Sequence, residues 1–176
     1  MAPELNTYVT PKEFDPSVGR IIQLFDDISR IPRPSGAEEG IRSYVLEHAR
    51  QNAFESHVDS VGNVLVIVPA TKGYEDRPGI ILQTHMDMLS HPEEGPQSPS
   101  VRGVNPSVDS SGEWISAQGT TLGADNGIGL SASLAFASDS TIAHGPVALL
   151  MTVDEEKGFT GANNLDFGDF DFSNYR

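Results

Sequence analysis

Three short stretches of this chain hold residues that could do chemistry together. His85-Met86-Asp87 closes one apolar run, and Asp154-Glu155-Glu156 closes another. Between them, Asp125 sits inside Gly119-Thr-Thr-Leu-Gly-Ala-Asp-Asn-Gly-Ile-Gly129. An imidazole with a carboxylate two positions on suits a metal ligand and its orienting group, because a metal-bound histidine usually donates its other ring N–H to a carboxylate. The same pair also suits a capped strand end. Asp125 has two readings as well: its two oxygens could bridge cations roughly 3.5–4 Å apart, or it could cap the helix that follows. Glu155 and Glu156 are adjacent, so on an extended segment they point in opposite directions. One could then bind metal while the other meets a water, although two neighbouring acids also make an ordinary solvated pair. The chain has no cysteine, so any metal must rest on His, Asp and Glu.

The surrounding pattern supplies elements to hold these residues. Asp15-Pro16 reads as an N-cap and a first-turn proline, and Val18, Ile21, Ile22, Phe25 and Ile28 recur at helical spacing. Pro32 and Pro34 end that helix. Ser35-Gly36-Ala37-Glu38 fits a capping box for a second helix with a buried stripe of Ile41, Tyr44, Val45 and His48. Val64 to Val68, Ile80 to Leu82 and Val147 to Val153 read as strands, the last two as inner strands, and Trp114-Ile115 as a brief one. A helix of small residues spans Ile128 to Ala137. From His91 to Ser111 the chain is rich in Pro, Ser and Gly and reads as a long surface excursion. After Asn163 it has no continuing pattern and reads as a connection. The alternation of strands and helices predicts an α/β fold with helices packed on a mostly parallel sheet. Ligands bind such sheets beyond the carboxyl ends of the strands, where His85 and Asp154 to Glu156 fall.

Composition removes several functions. Eleven basic against twenty-five acidic residues give a formal charge of −14, which argues against nucleic acid and anionic membrane surfaces. No apolar run is long enough to span a bilayer, and Met1 to Lys12 has no apolar core of a secretory signal. A soluble cytoplasmic protein is the expectation. Gly127-Ile-Gly129-Leu-Ser-Ala132 fits a dinucleotide fingerprint, but Gly119 to Ala124 is not the apolar strand that fingerprint requires. Of the other histidines, His91 and His57 read as surface residues, His48 as a helix-face residue and His144 as structural.

Leu82-Gln-Thr-His-Met-Asp-Met88, Gly112-Glu-Trp114, the glycine-rich segment, His144-Gly-Pro146 and Glu155-Glu156 occur in this order. Together they resemble the aminoacyl-histidine (Xaa-His) dipeptidases, two-zinc peptidases of the superfamily that includes aminoacylases and carboxypeptidase G. The resemblance runs from about Ser17 to Leu165. It implies that His85, Asp125 and Glu156 bind metal, with Asp125 bridging, and that Glu155 is the general base and Asp87 the partner of His85. It further implies a cis peptide after Asp125, two divalent metal ions (zinc, with cobalt or manganese as alternatives), a dipeptide substrate, and self-association through regions outside this chain. Asp154 departs from the threonine usual in these dipeptidases and is closer to the wider superfamily. The family's further ligands, an acidic residue soon after position 176 and a histidine near the far C-terminus, lie outside these residues, as does its lid domain. The expectation is therefore an N-terminal arm (1–14) and a partial zinc-exopeptidase-like catalytic domain (15–176) that is inactive alone. Two alternatives are a non-catalytic metal- or partner-binding product and a hydrolase of N-acyl amino acids.

Overall fold

The computed structural model describes residues 16–109, 111, 113–168 and 170–175. The N-terminal arm and the expected Asp15 cap lie outside the described residues, as do Gly112 and Asp169. Helices α1 (Pro16–Ser29) and α2 (Glu39–Gln51) precede strands β1 (Glu55–Val58), β2 (Val64–Val68) and β3 (Ile80–His85). A short helix α3 (Pro99–Arg102) and a two-stranded ribbon of β4 (Ser107–Val108) and β5 (Ile115–Ser116) follow. Helix α4 (Ala124–Ser138), strand β6 (Val147–Thr152) and helix α5 (Thr160–Asn163) lead to a final 3-10 turn (Phe172–Asn174).

The main sheet has the order β1-β2-β6-β3. The α/β class stands, but the sheet is mixed: β3 pairs with β6 in parallel, whereas β1 with β2 and β2 with β6 are antiparallel. Apolar run length told strand from helix without telling direction. Strand β3, expected to be inner, lies at the edge of the described sheet, with Ile80 41% exposed. Strand β1 was not foreseen, since Glu-Ser-His-Val has no β-branched run and three of its four residues are exposed.

Alternation along β2 and β6 splits the core. Val64, Val66, Val68, Val147, Leu149 and Met151 face the helices, where they meet Leu24 and Ile28 of α1, Ile41 and Val45 of α2, and Leu130 and Leu134 of α4. Leu65, Ala148 and Leu150 face the other way, and Phe167, Phe170, Phe172 and Tyr175 pack over them. The segment after Asn163 is thus a cover for the second face of the sheet, not a bare connection. Its aromatics follow neither helix nor strand period because an irregular chain presents them, and Phe170 meets Phe172 edge-on at 4.6 Å. The excursion from His91 is anchored as well: Ser98 and Val104 are buried, and the Val104 amide donates to the Ser29 carbonyl. Trp114 stays outside β5 and is exposed.

The capping box before α2 does not form. Glu38 occupies the cap position without capping, and its Oε1 accepts instead from the amides of Gly36 and Asp154. Buried Glu38 thus ties the loop before α2 to the turn after β6.

That turn is tightly enclosed at Gly161. A Cβ there would lie 2.4 Å from Asn63 Oδ1 and 2.5 Å from the Val153 carbonyl oxygen. Relieving such contacts needs backbone movement, and overpacking of this kind costs about 1–3 kcal/mol. Gly161→Ala is expected to lower thermal stability by that amount, read by differential scanning calorimetry. An unchanged Tm would mean that the loop gives way freely.

Candidate metal centre

Parallel pairing places β3 beside β6 with His85 opposite Thr152. The two strands therefore end together, and Met86-Asp87 and Val153 to Glu156 leave the sheet at one edge. A one-residue slip would turn His85 to the other face of the sheet. The third contributor is the start of α4, where the backbone is non-helical at Asp125 and Asn126 and the peptide between them is cis, as the resemblance implied.

His85 is the centre of the cluster. Its Nδ1 lies 3.1 Å from the Asp87 carbonyl oxygen and 3.4 Å from Asp87 Oδ1. Both partners only accept, so Nδ1 carries a proton. Nε2 also faces a carboxylate, so the ring is held as imidazolium, and losing the Nε2 proton would leave its lone pair for a ligand. Nε2 faces Asp125 Oδ1 at 3.0 Å and Glu155 Oε2 at 3.7 Å. Asp125 turns its carboxylate to His85 and makes no helix cap among the described residues. His85, Asp125 and Glu156 each offer a ligand atom, and all three atoms lie within 4.8 Å of one another.

Glu155 and Glu156 do not diverge as they would on an extended strand. They occupy a turn, and both carboxylates come round to His85. Asp87 holds that turn. Wholly buried, it accepts from the amides of Glu155 (3.0 Å, Oδ1) and Glu156 (3.1 Å, Oδ2) and from Ser35 Oγ (2.7 Å). Asp154 stands apart: its φ is +54°, its amide goes to Glu38, and its side chain accepts from Thr160 Oγ1.

The electrostatics match a site short of positive charge. Burial would lower the pKa of His85, but hydrogen bonds to Asp87 and Asp125 and the charges of Asp87 and Glu155 outweigh it and push it up to about 9. Burial raises the Glu156 carboxyl, with His85 opposing and Asp125, Glu155 and Asp87 adding to the rise. Beside the cluster is a cleft of about 310 Å³, lined by His85, Asp125 and Glu155 and walled by Leu150, Phe159 and Leu165.

Four residues that support the cluster were not among the candidates named from sequence: Arg33, Ser35, Glu38 and Asn63. Buried Asn63 donates to Asp59 and the Gly161 carbonyl and accepts from the Val153 amide, which fixes the exit of β6. Asn63 directly precedes the β2 run and Arg33 lies between two prolines, so neither stood out by local pattern. Of the histidines, His57 and His91 are exposed, His48 is buried on α2, and His144 is half-buried beside Phe136.

The chain matches no family model. It is 41% identical over 143 residues to the cytosol non-specific dipeptidase of Escherichia coli (strain K12), covering 81% of this chain and 29% of that protein. The crystal structure of aminoacylhistidine dipeptidase from Vibrio alginolyticus superposes with a TM-score of 0.81 at 39% identity, over 92% of this chain and 32% of that one. Over these residues the chain is a homologue of dipeptidases. It spans under a third of the length of both relatives. A tripeptidase from Staphylococcus aureus subsp. aureus mu50 is also similar, at 26% identity with a TM-score of 0.70 over 84% of this chain and 39% of that one. Among the described residues, no helix is long and apolar enough to cross a membrane.

Proposed function

We propose that residues 15–176 are part of the catalytic domain of a metal-dependent dipeptidase, with His85, Asp125 and Glu156 as metal ligands and Glu155 as general base. The observation that carries this is the convergence of three ligand atoms within 4.8 Å at the shared end of β3 and β6. The donors fit a divalent cation of the zinc, cobalt or manganese kind: one imidazole and hard carboxylates, with no thiolate. Like charges crowd the same point, which a cation would relieve.

When bound, two such ions supply Lewis-acid polarisation of the scissile carbonyl and make a water more acidic. Asp87 orients His85 through Nδ1 and leaves Nε2 free for a ligand bond. Asp125, with its carboxylate 82% exposed and aimed at His85, has a second oxygen free to bridge. Glu155 Oε2 takes a proton from the attacking water and delivers it to the leaving amine. The substrate class follows the two relatives, one named for aminoacyl-histidine and one for non-specific dipeptides. Dipeptides ending in histidine are the first choice, hydrolysed in the cytoplasm.

The test is zinc-dependent cleavage of Ala-His by the whole polypeptide that carries these residues, beside calorimetric titration with zinc. Asp125→Ala is expected to weaken zinc binding by more than the roughly 10–100-fold that loss of an outer-shell partner costs. Zinc uptake unchanged in that variant would remove Asp125 from the ligand set. A wild-type chain that takes up zinc but cleaves neither Ala-His nor other dipeptides would favour the non-catalytic reading.

A further inference from the structure

Arg33 is 0% exposed and lies in the loop between α1 and α2, outside the cluster it serves. Its Nη1 donates to the carbonyl oxygens of Met86 (3.0 Å) and Asp87 (2.9 Å), and its Nη2 to that of Gly123 (2.6 Å). Two of those carbonyls belong to the turn that carries His85 and Asp87. The third lies two residues before Asp125. One guanidinium thus spans the two backbone segments that carry candidate ligands, and its rigid fork of donors suits that task better than a single ammonium.

The glycine-rich segment is cut to receive it. A Cβ at Gly123 would come within 2.7 Å of both Arg33 Nη2 and Met88 Sδ, and one at Gly127 within 2.8 Å of the same Nη2. Gly123 also has φ +71°. The Arg33 loop is itself docked on the site, since the Met88 amide donates to the Arg33 carbonyl and Pro34 bridges to Met88. Enclosing a guanidinium is costly, and no carboxylate pairs with it directly among the described residues. The charges of Asp87, Asp125 and Glu156 nonetheless act on it through space.

Building on the metal site proposed above, we infer that Arg33 is a positioning residue that sets the distance between the His85 turn and the Asp125 turn. It would hold the two ligands at the spacing a cation needs before any cation arrives. Arg33 also adds to the reasons for glycine at 123 and 127, beside the positive φ of Gly123 and the closeness of Phe25 to Gly127.

The test compares the whole polypeptide as wild type, Arg33→Met, Arg33→Lys and Leu24→Ala, the last a core truncation in α1, which supplies none of the candidate ligands. Three quantities are measured: Tm in chelator, zinc affinity by competition with a chromophoric chelator, and the visible spectrum of the cobalt-loaded protein. Arg33→Met is expected to weaken zinc binding about 10–100-fold and shift the cobalt bands. Arg33→Lys should recover part of both. Leu24→Ala should lose Tm yet keep wild-type affinity and spectrum.

Wild-type affinity and spectrum in Arg33→Met would overturn the inference. So would an equal loss of affinity in Leu24→Ala, because stability alone would then account for the effect. Should Arg33→Met fail to fold, Arg33→Lys decides: weakened binding with shifted bands supports the role, and wild-type values refute it. A wild-type protein that binds no zinc is a different result, refuting the metal site and the positioning role with it.

Discussion

Glu155→Gln is expected to lower kcat for Ala-His by about 10²–10⁴-fold, the range for loss of a positioned general base, while zinc stoichiometry stays unchanged. Three observations set this apart from a ligand substitution. Glu155 Oε2 stands 3.7 Å from His85 Nε2, at the rim of the cluster, while Glu156 supplies the third of the converging ligand atoms. The Glu155 side chain is 33% exposed and lines the cleft, so water reaches it. Its backbone is pinned through its amide to Asp87 Oδ1 at 3.0 Å, so the amide side chain of glutamine would occupy the same place without being able to take a proton. The loss should fall on kcat rather than KM, because a general base acts on the water and not on the bound peptide. Steady-state kinetics with parallel zinc analysis would check it. Loss of zinc along with activity would make Glu155 a ligand, and undiminished kcat would remove it from catalysis.

The second large effect is on folding. Asp87→Ala is expected to destabilise the protein by about 3–5 kcal/mol, the cost of removing one partner from a buried charged network, or about 6–20 °C in Tm for a domain of this size. The carboxylate is fully buried, and its loss removes the acceptor for the amides of Glu155 and Glu156 and the hydroxyl of Ser35. Thermal denaturation in chelator isolates this from any metal effect, and a Tm equal to wild type would refute it.

A pH dependence accompanies the Asp87 effect. Burial alone would raise the Asp87 carboxyl, but hydrogen bonds from His85, Ser35 and the two amides hold it well below the usual carboxylate range. Its contribution is therefore complete above the unfolded carboxylate pKa of about 4 and is lost as pH falls towards the folded value. Wild type should lose its advantage over Asp87→Ala progressively below about pH 4.

Much of this could be read from local pattern. The helices at Pro16 and Glu39 and the strands at Val64 and Val147 follow from periodicity and run length, which depend on neighbours a few residues away. The five candidate residues stood out by type at strand ends and between glycines, and the family resemblance implied their roles. Where a local rule had a distant competitor, it failed. Glu38 fitted a capping box, yet its oxygen went to the Asp154 amide. Phe170 and Phe172 belonged to no period, yet they close the second face of the sheet.

The sequence by itself determined which elements form and which side chains are equipped for metal and proton chemistry, because propensity, turn chemistry and ionisation belong to the residue and its near neighbours. Only the tertiary structure decided that β3 lies parallel to β6 with His85 opposite Thr152, that Glu155 and Glu156 converge instead of diverging, and that Arg33 ties the Asp125 turn to the His85 turn. Those contacts join residues between about fifty and ninety positions apart. Their geometry comes from strand pairing and shared burial, and no local pattern encodes it.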